Sequence, residues 1–72
     1  MIAEYVSAAS RKVLDVITIP EDGPIAYANG AARARVETFE RVARDRAALI
    51  EIVRSWSNGY FLLREKTTPQ SR

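Results

Sequence analysis

The side chains with spacing suited to acid–base chemistry are two carboxylate pairs, Glu37 with Glu40 and Glu21 with Asp22. Such pairs act as general acid and base only where burial or a like charge drives their pKa values apart. Glu37 and Glu40 fall on the most polar side of a helical pattern, and Glu21-Asp22 falls in a proline-rich turn. Neither setting provides a pocket. Ser7, Ser10, Ser55 and Ser57 offer hydroxyls without a base to activate them, and Lys12 and Lys66 have no recognisable companion. The sequence holds neither Cys nor His, which removes disulfides, thiolate or imidazole ligands for a transition metal, and the commonest general base. Asn29-Gly30 and Asn58-Gly59 are lone turn signals and do not build a glycine-rich phosphate loop. The expectation is a protein that is not an enzyme, with no cofactor and no metal.

Recognition chemistry is the alternative, and its residues gather late in the chain. Trp56, Tyr60 and Phe61 bring a Trp, a Tyr and a Phe close together, the residue types that concentrate energy at interfaces. Arg46 falls inside an apolar arc, between Phe39, Ile50 and Val53. One reading pairs it with a carboxylate on a partner chain or helix; the other lays its stem along a seam while the guanidinium reaches water. Arg35 shares that side near the start of the helix, where solvent is easily reached. Tyr5 and Tyr27 read as seam or rim residues.

For nucleic acid, Arg33, Arg44 and Arg54 line one helical face, with Glu37, Glu40 and Glu51 interleaved. Interleaved signs cancel the field that a phosphate backbone would feel. A nucleic-acid-associated regulator using this Arg-rich segment and the basic tail is therefore the second reading. Arg outnumbers Lys nine to two, a bias that a GC-rich genome would produce on its own.

The net charge of +2 is unevenly spread: acidic before residue 30, basic after it. Seventy-two residues, 47% of them apolar and 28% charged, suit one small globular domain near the lower limit for a self-sufficient core. The N-terminus lacks a basic start followed by an apolar stretch, and the longest apolar runs are four residues, so neither a signal peptide nor a membrane span is expected. A cytoplasmic location is the default.

Two elements must position these groups. Ile2, Val6, Ala9, Val13 and Val16 recur at spacings of 4, 3, 4 and 3, the narrow seam of a helix over about 2–18. The β-branched run Val13 to Ile19 favours a strand near 13–19 as the alternative. Pro20-Glu21-Asp22-Gly23-Pro24 ends that element in a turn over 19–23. A second helix over about 24–57 follows, bent or loosened at Asn29-Gly30, because Ala31 to Trp56 contains neither Gly nor Pro. Its apolar arc of roughly 220° is wider than the ~100° needed to dock on one neighbour. Asn58-Gly59 closes it, and Tyr60-Phe61-Leu62-Leu63 forms an apolar extension read as a fold-back, a short strand or a docking segment.

The resulting expectation is an all-α antiparallel helical hairpin, a single domain over 1–66 with a flexible tail at 67–72. Helix 1 would cover only about half of helix 2 at about 1.5 Å per residue. Phe39, Arg46, Leu49, Ile50, Val53, Trp56, Tyr60 and Phe61 would then form a partner interface, occupied by a second copy in a four-helix arrangement or by a larger protein. No residue pattern points to a known family.

Overall fold

The computed structural model describes residues 1–66; the tail expected at 67–72 lies outside them. Its elements are β1 (Ile2–Ser7), β2 (Val13–Thr18), β3 (Ala26–Tyr27), α1 (Arg33–Val42), α2 (Arg46–Ser55) and β4 (Phe61–Glu65). The strands form one antiparallel sheet in the order β3-β2-β1-β4. The all-α helical hairpin is therefore overturned, and the α+β alternative with a strand near 13–19 fits.

The first segment is a strand hairpin because a second period runs beneath the helical one. Ala3 and Tyr5 on β1, Asp15 and Ile17 on β2, and Ile19 beyond it are all buried, the period-two signature of a strand with one face inward. Their register confirms a shared face, with Ala3 opposite Ile17 and Tyr5 opposite Asp15. On the other side of β1, Tyr5 is opposite Leu63 of β4. Ala32 and Val36 from the α1 segment, with Leu49 and Val53 of α2, complete the core on this face.

A β-bulge explains the helical seam. Tyr5 opposes Asp15 while Val6 opposes Val13, leaving Leu14 as an extra residue. The insertion shifts the parity of β2, so Val13 and Val16 share a face although three residues apart. Ile2 opposite Thr18, Glu4 opposite Val16 and Val6 opposite Val13 all lie on the side away from the helices. The spacing that mimicked a helix is a stripe across the outer face of the sheet. A turn closes the hairpin, with Ser7 N–H donating to Lys12 carbonyl at 3.0 Å and Arg11 at φ 63°.

The long second helix is also corrected. Ala43 leaves the helix at φ −77°, ψ 131°, and Asp45, extended at φ −156°, ψ 179°, accepts the Ala48 N–H at 2.8 Å as the N-cap of α2. The wide apolar arc belongs to two helices with separate inward faces. No helix begins at Pro24. Ile17 and Thr18 pair with Tyr27 and Ala26, and Asn29 accepts the Ala31 N–H at 2.9 Å while donating to Leu14 carbonyl at 2.8 Å. The turn reading of Asn29-Gly30 holds, with Gly30 at φ 92°.

After α2 the chain turns at Asn58, whose side chain accepts the Tyr60 and Phe61 N–H groups, both at 2.9 Å. The apolar extension then enters the sheet as β4. A bridge between Ser57 and Leu62, and the Leu63 N–H bond to Trp56 carbonyl at 2.9 Å, cover part of its outer edge.

Candidate functional site

Most of the residues expected at a partner interface serve the fold. Leu49 and Val53 are buried in the core, and Phe39, Ile50, Trp56 and Phe61 pack against it half-buried. Phe39 and Trp56 meet at 5.5 Å between centroids, and Phe61 stacks on Tyr5 at 5.3 Å. Strand β4 lies against α2, covering the apolar side that a two-helix hairpin would have left bare. Arg46 donates to Pro20 carbonyl at 2.8 Å and Gly23 carbonyl at 2.9 Å. Its guanidinium fastens the proline-rich turn to α2. Of the eight, Tyr60 stands most clear of the fold, 76% exposed.

The sheet has a second face, and its composition is unusual. An antiparallel sheet covered on one side ordinarily turns polar residues to water on the other. Here the outward positions include Ile2, Val6, Val13, Val16 and Leu62, with Glu4, Thr18 and Arg64. Val6 lies at the centre, opposed by Val13 on one side and Leu62 on the other, and is 1% exposed. Val13 is 44% and Ile2 41% exposed. Arg64 Nε donates to Glu4 Oε1 at 3.0 Å across the same face. Tyr60, beside Ala8 through the Ala8 N–H bond to its carbonyl at 2.9 Å, continues the face at one end.

The spacing of Ile2, Val6, Val13 and Val16 imitates a helix seam because the bulge at Leu14 shifts the parity of β2, and no single residue announces that bulge. The apolar extension 60–63 was recognised, and it supplies Tyr60 and Leu62 to the face.

The charges of the helices are largely internal. Arg33 lies 3.9 Å from Glu37, Arg44 lies 3.9 Å from Asp45, and Arg54 reaches Glu51 at 3.0 Å and Glu65 at 3.2 Å. Tyr27, under the Arg33 guanidinium at 4.8 Å, has its pKa raised by burial and by the Glu40 and Glu37 carboxylates. Asp15 is the buried charge of the structure, 2% exposed. Burial alone would raise its pKa, but backbone N–H donors led by Ala32, Asn29 and Val16 outweigh it and hold the carboxyl below its ordinary value. Its oxygens are thus occupied in fastening loops. Among the described residues, no group of three or more acidic side chains is placed to hold a metal ion. No described helix is long and apolar enough to cross a membrane.

Fold and surface together define a small two-layer α+β protein with one apolar-rich sheet face that no helix covers among the described residues. Comparison with protein-family models, curated proteins and solved structures finds no match.

Proposed function

We propose that this protein is a non-enzymatic interaction module that self-associates through the open face of its sheet. The observation that carries this reading is the failure of alternation on that face: Ile2, Val13, Val16 and Leu62, around the buried Val6, stand where polar residues would suffice. A second copy is the occupant that such a surface suits. Ile2 and Val13 lie at opposite ends of the β1–β2 pair, so a two-fold axis running across the strands would lay the Ile2 end of one copy over the Val13 end of the other. A cytoplasmic setting belongs to the same proposal.

Size sets the expected strength. Four strands about 4.8 Å apart, with strands of about 3.3 Å per residue, make a face of roughly 20 by 20 Å. Pairing two such faces buries on the order of 800 Å² in all, the range of weak, transient contacts. A weak dimer, with a dissociation constant of about 10–100 micromolar, is expected. Light scattering after size exclusion, over a concentration series spanning that range, tests it. A particle that remains monomeric to hundreds of micromolar overturns it.

A second reading has one observation in its favour. Arg64 lies on the open face, and Lys66 is bonded beside Ile2 through its N–H at 2.7 Å, with Arg11 and Lys12 exposed on the hairpin. Nucleic acid bound there would lose affinity steeply with added salt, whereas the apolar dimer would not. Repeating the mass measurement with mixed DNA at two salt concentrations separates the readings.

A further inference from the structure

The arginines of this chain divide by what accepts their hydrogen bonds. Arg46 has two backbone carbonyls, Arg54 has Glu51 and Arg64 has Glu4. Arg35 is different. It is half-buried, its guanidinium carbon lies 4.6 Å from the centroid of the Trp56 ring, and its Nε is buried without a hydrogen-bond partner. An aromatic face attracts the cation but supplies no in-plane acceptor for its N–H groups. No carboxylate among the described residues forms an ion pair with it.

Beside Arg35 opens a cleft of about 310 Å³, lined also by Tyr5, Ala31, Ala34 and Thr38. Tyr5 is held by its stack on Phe61. The Thr38 hydroxyl is committed to Ala34 carbonyl at 2.9 Å. The remaining lining is two alanine methyl groups. The cleft is open to solvent and combines one cation with a largely buried aromatic ring, two alanines and a threonine.

We propose that this cleft binds a small organic monocarboxylate, with the carboxylate on the guanidinium of Arg35 and the apolar body against Tyr5, Ala31 and Ala34. The Arg35 guanidinium, 4.6 Å from the Trp56 ring centroid, is a planar fork whose paired N–H donors match the two oxygens of a carboxylate. One charge is the right number. Asp15, directly opposite Tyr5 in the sheet, already places an anion at this end of the core, so a doubly charged phosphate is disfavoured. The cleft adjoins the helix-covered side of the sheet, and occupying it leaves the outer face free.

Trp56 is the sole tryptophan of the chain, so its fluorescence reports on the stacked Arg35 directly. At constant ionic strength, the full-length protein is titrated with sodium benzoate, with benzyl alcohol as the uncharged analogue and with inorganic phosphate. The Arg35 Nε–Hε NMR signal is followed in parallel. Benzoate is expected to give a saturable change in both signals below about 10 mM, well past a millimolar dissociation constant. Benzyl alcohol and phosphate are expected to give none. Arg35→Met removes the cation, and Ala34→Leu fills the cleft while keeping the stack; each is expected to weaken benzoate at least about tenfold. Because Ala34 is exposed on α1, that variant tests the cleft even if Arg35→Met fails to fold. A flat benzoate titration, phosphate binding as tightly as benzoate, or unchanged benzoate affinity in a folded Ala34→Leu protein overturns the proposal.

Discussion

Asp15 accepts the backbone N–H of Ala32 at 2.9 Å, joining the second strand to the residue that begins α1. Its other oxygen takes Asn29 N–H at 3.0 Å and Val16 N–H at 2.9 Å. One buried carboxylate therefore fixes where the loop after β3 ends and where the helix starts. α1 has no side-chain cap of its own; this tie instead anchors the residue at the cap position through that residue's own N–H. Hydrogen bonds to a charged group contribute roughly 1.5–3 kcal/mol each, and removing the acceptor strands buried donors. Asp15→Ala is expected to destabilise by at least about 3 kcal/mol, a large part of what so small a domain holds. Urea denaturation checks it; a loss under about 1 kcal/mol contradicts the role.

The same bonds give stability a pH dependence with a defined sign. Asp15 titrates below its ordinary value of 3.8 when folded. A depressed carboxyl pKa stabilises the fold at pH above the unfolded pKa, and that contribution is lost as pH falls through the folded pKa. Melting temperature should therefore hold near neutral pH and decline below about pH 4. In Asp15→Asn the starting stability is lower and the acid decline shallower. An equally steep decline in both proteins would assign the effect to other carboxylates.

Arg46 tests a different joint. Its bonds to Pro20 and Gly23 carbonyls hold the turn after β2 against the start of α2. Lys has no planar fork to reach both oxygens. Arg46→Lys is expected to cost about 1 kcal/mol, and Arg46→Ala about 1–3 kcal/mol. The lesion is local: amide exchange should accelerate at Gly23 and neighbouring residues before it does in β1. Uniform acceleration would show that Arg46 supports the whole core.

What the sequence displayed and what it concealed follow one physical distinction. Local signals were legible: the turn at Pro20–Pro24, and the stop at Asn58-Gly59, with Gly59 at φ 91°. Asp45 was a readable N-cap, three residues before Ala48, obscured because strong helix formers surround it. The concealed part was nonlocal. Bulging at Leu14 turned a period of two into spacings of four and three, and strand pairing between residues sixty apart, such as Glu4 and Arg64, leaves no trace in a window of one helix. The apolar side of Leu49–Trp56, expected to meet a partner, lies in part against β4 of the same chain.

That assignment separates core from surface by measurement. Leu49 is enclosed by the sheet while Tyr60 stands in solvent. Leu49→Ala is expected to cost about 2–4 kcal/mol through lost transfer energy and a cavity. Tyr60→Ala should change folding stability by no more than about 0.5 kcal/mol. Thermal denaturation of the two variants at equal concentration decides it, and similar losses would place Tyr60 in the core.

Val13 carries the most direct test of the open face. At 44% exposure, replacing it with Glu opens no cavity, so folding stability should shift by under about 1 kcal/mol. In a two-fold dimer each substitution is present twice. The new carboxylates lie on an apolar stripe, opposite Val6 in the register, where covering them requires desolvation without a partner. Val13→Glu should therefore raise the dimer dissociation constant by at least about tenfold, equivalent to 1.4 kcal/mol. Sedimentation equilibrium reads the constant, and circular dichroism confirms the fold. The loss should persist at high salt, because it arises from desolvation more than from screened repulsion. A folded Val13→Glu protein that dimerises as tightly as the parent would move the interface off this face.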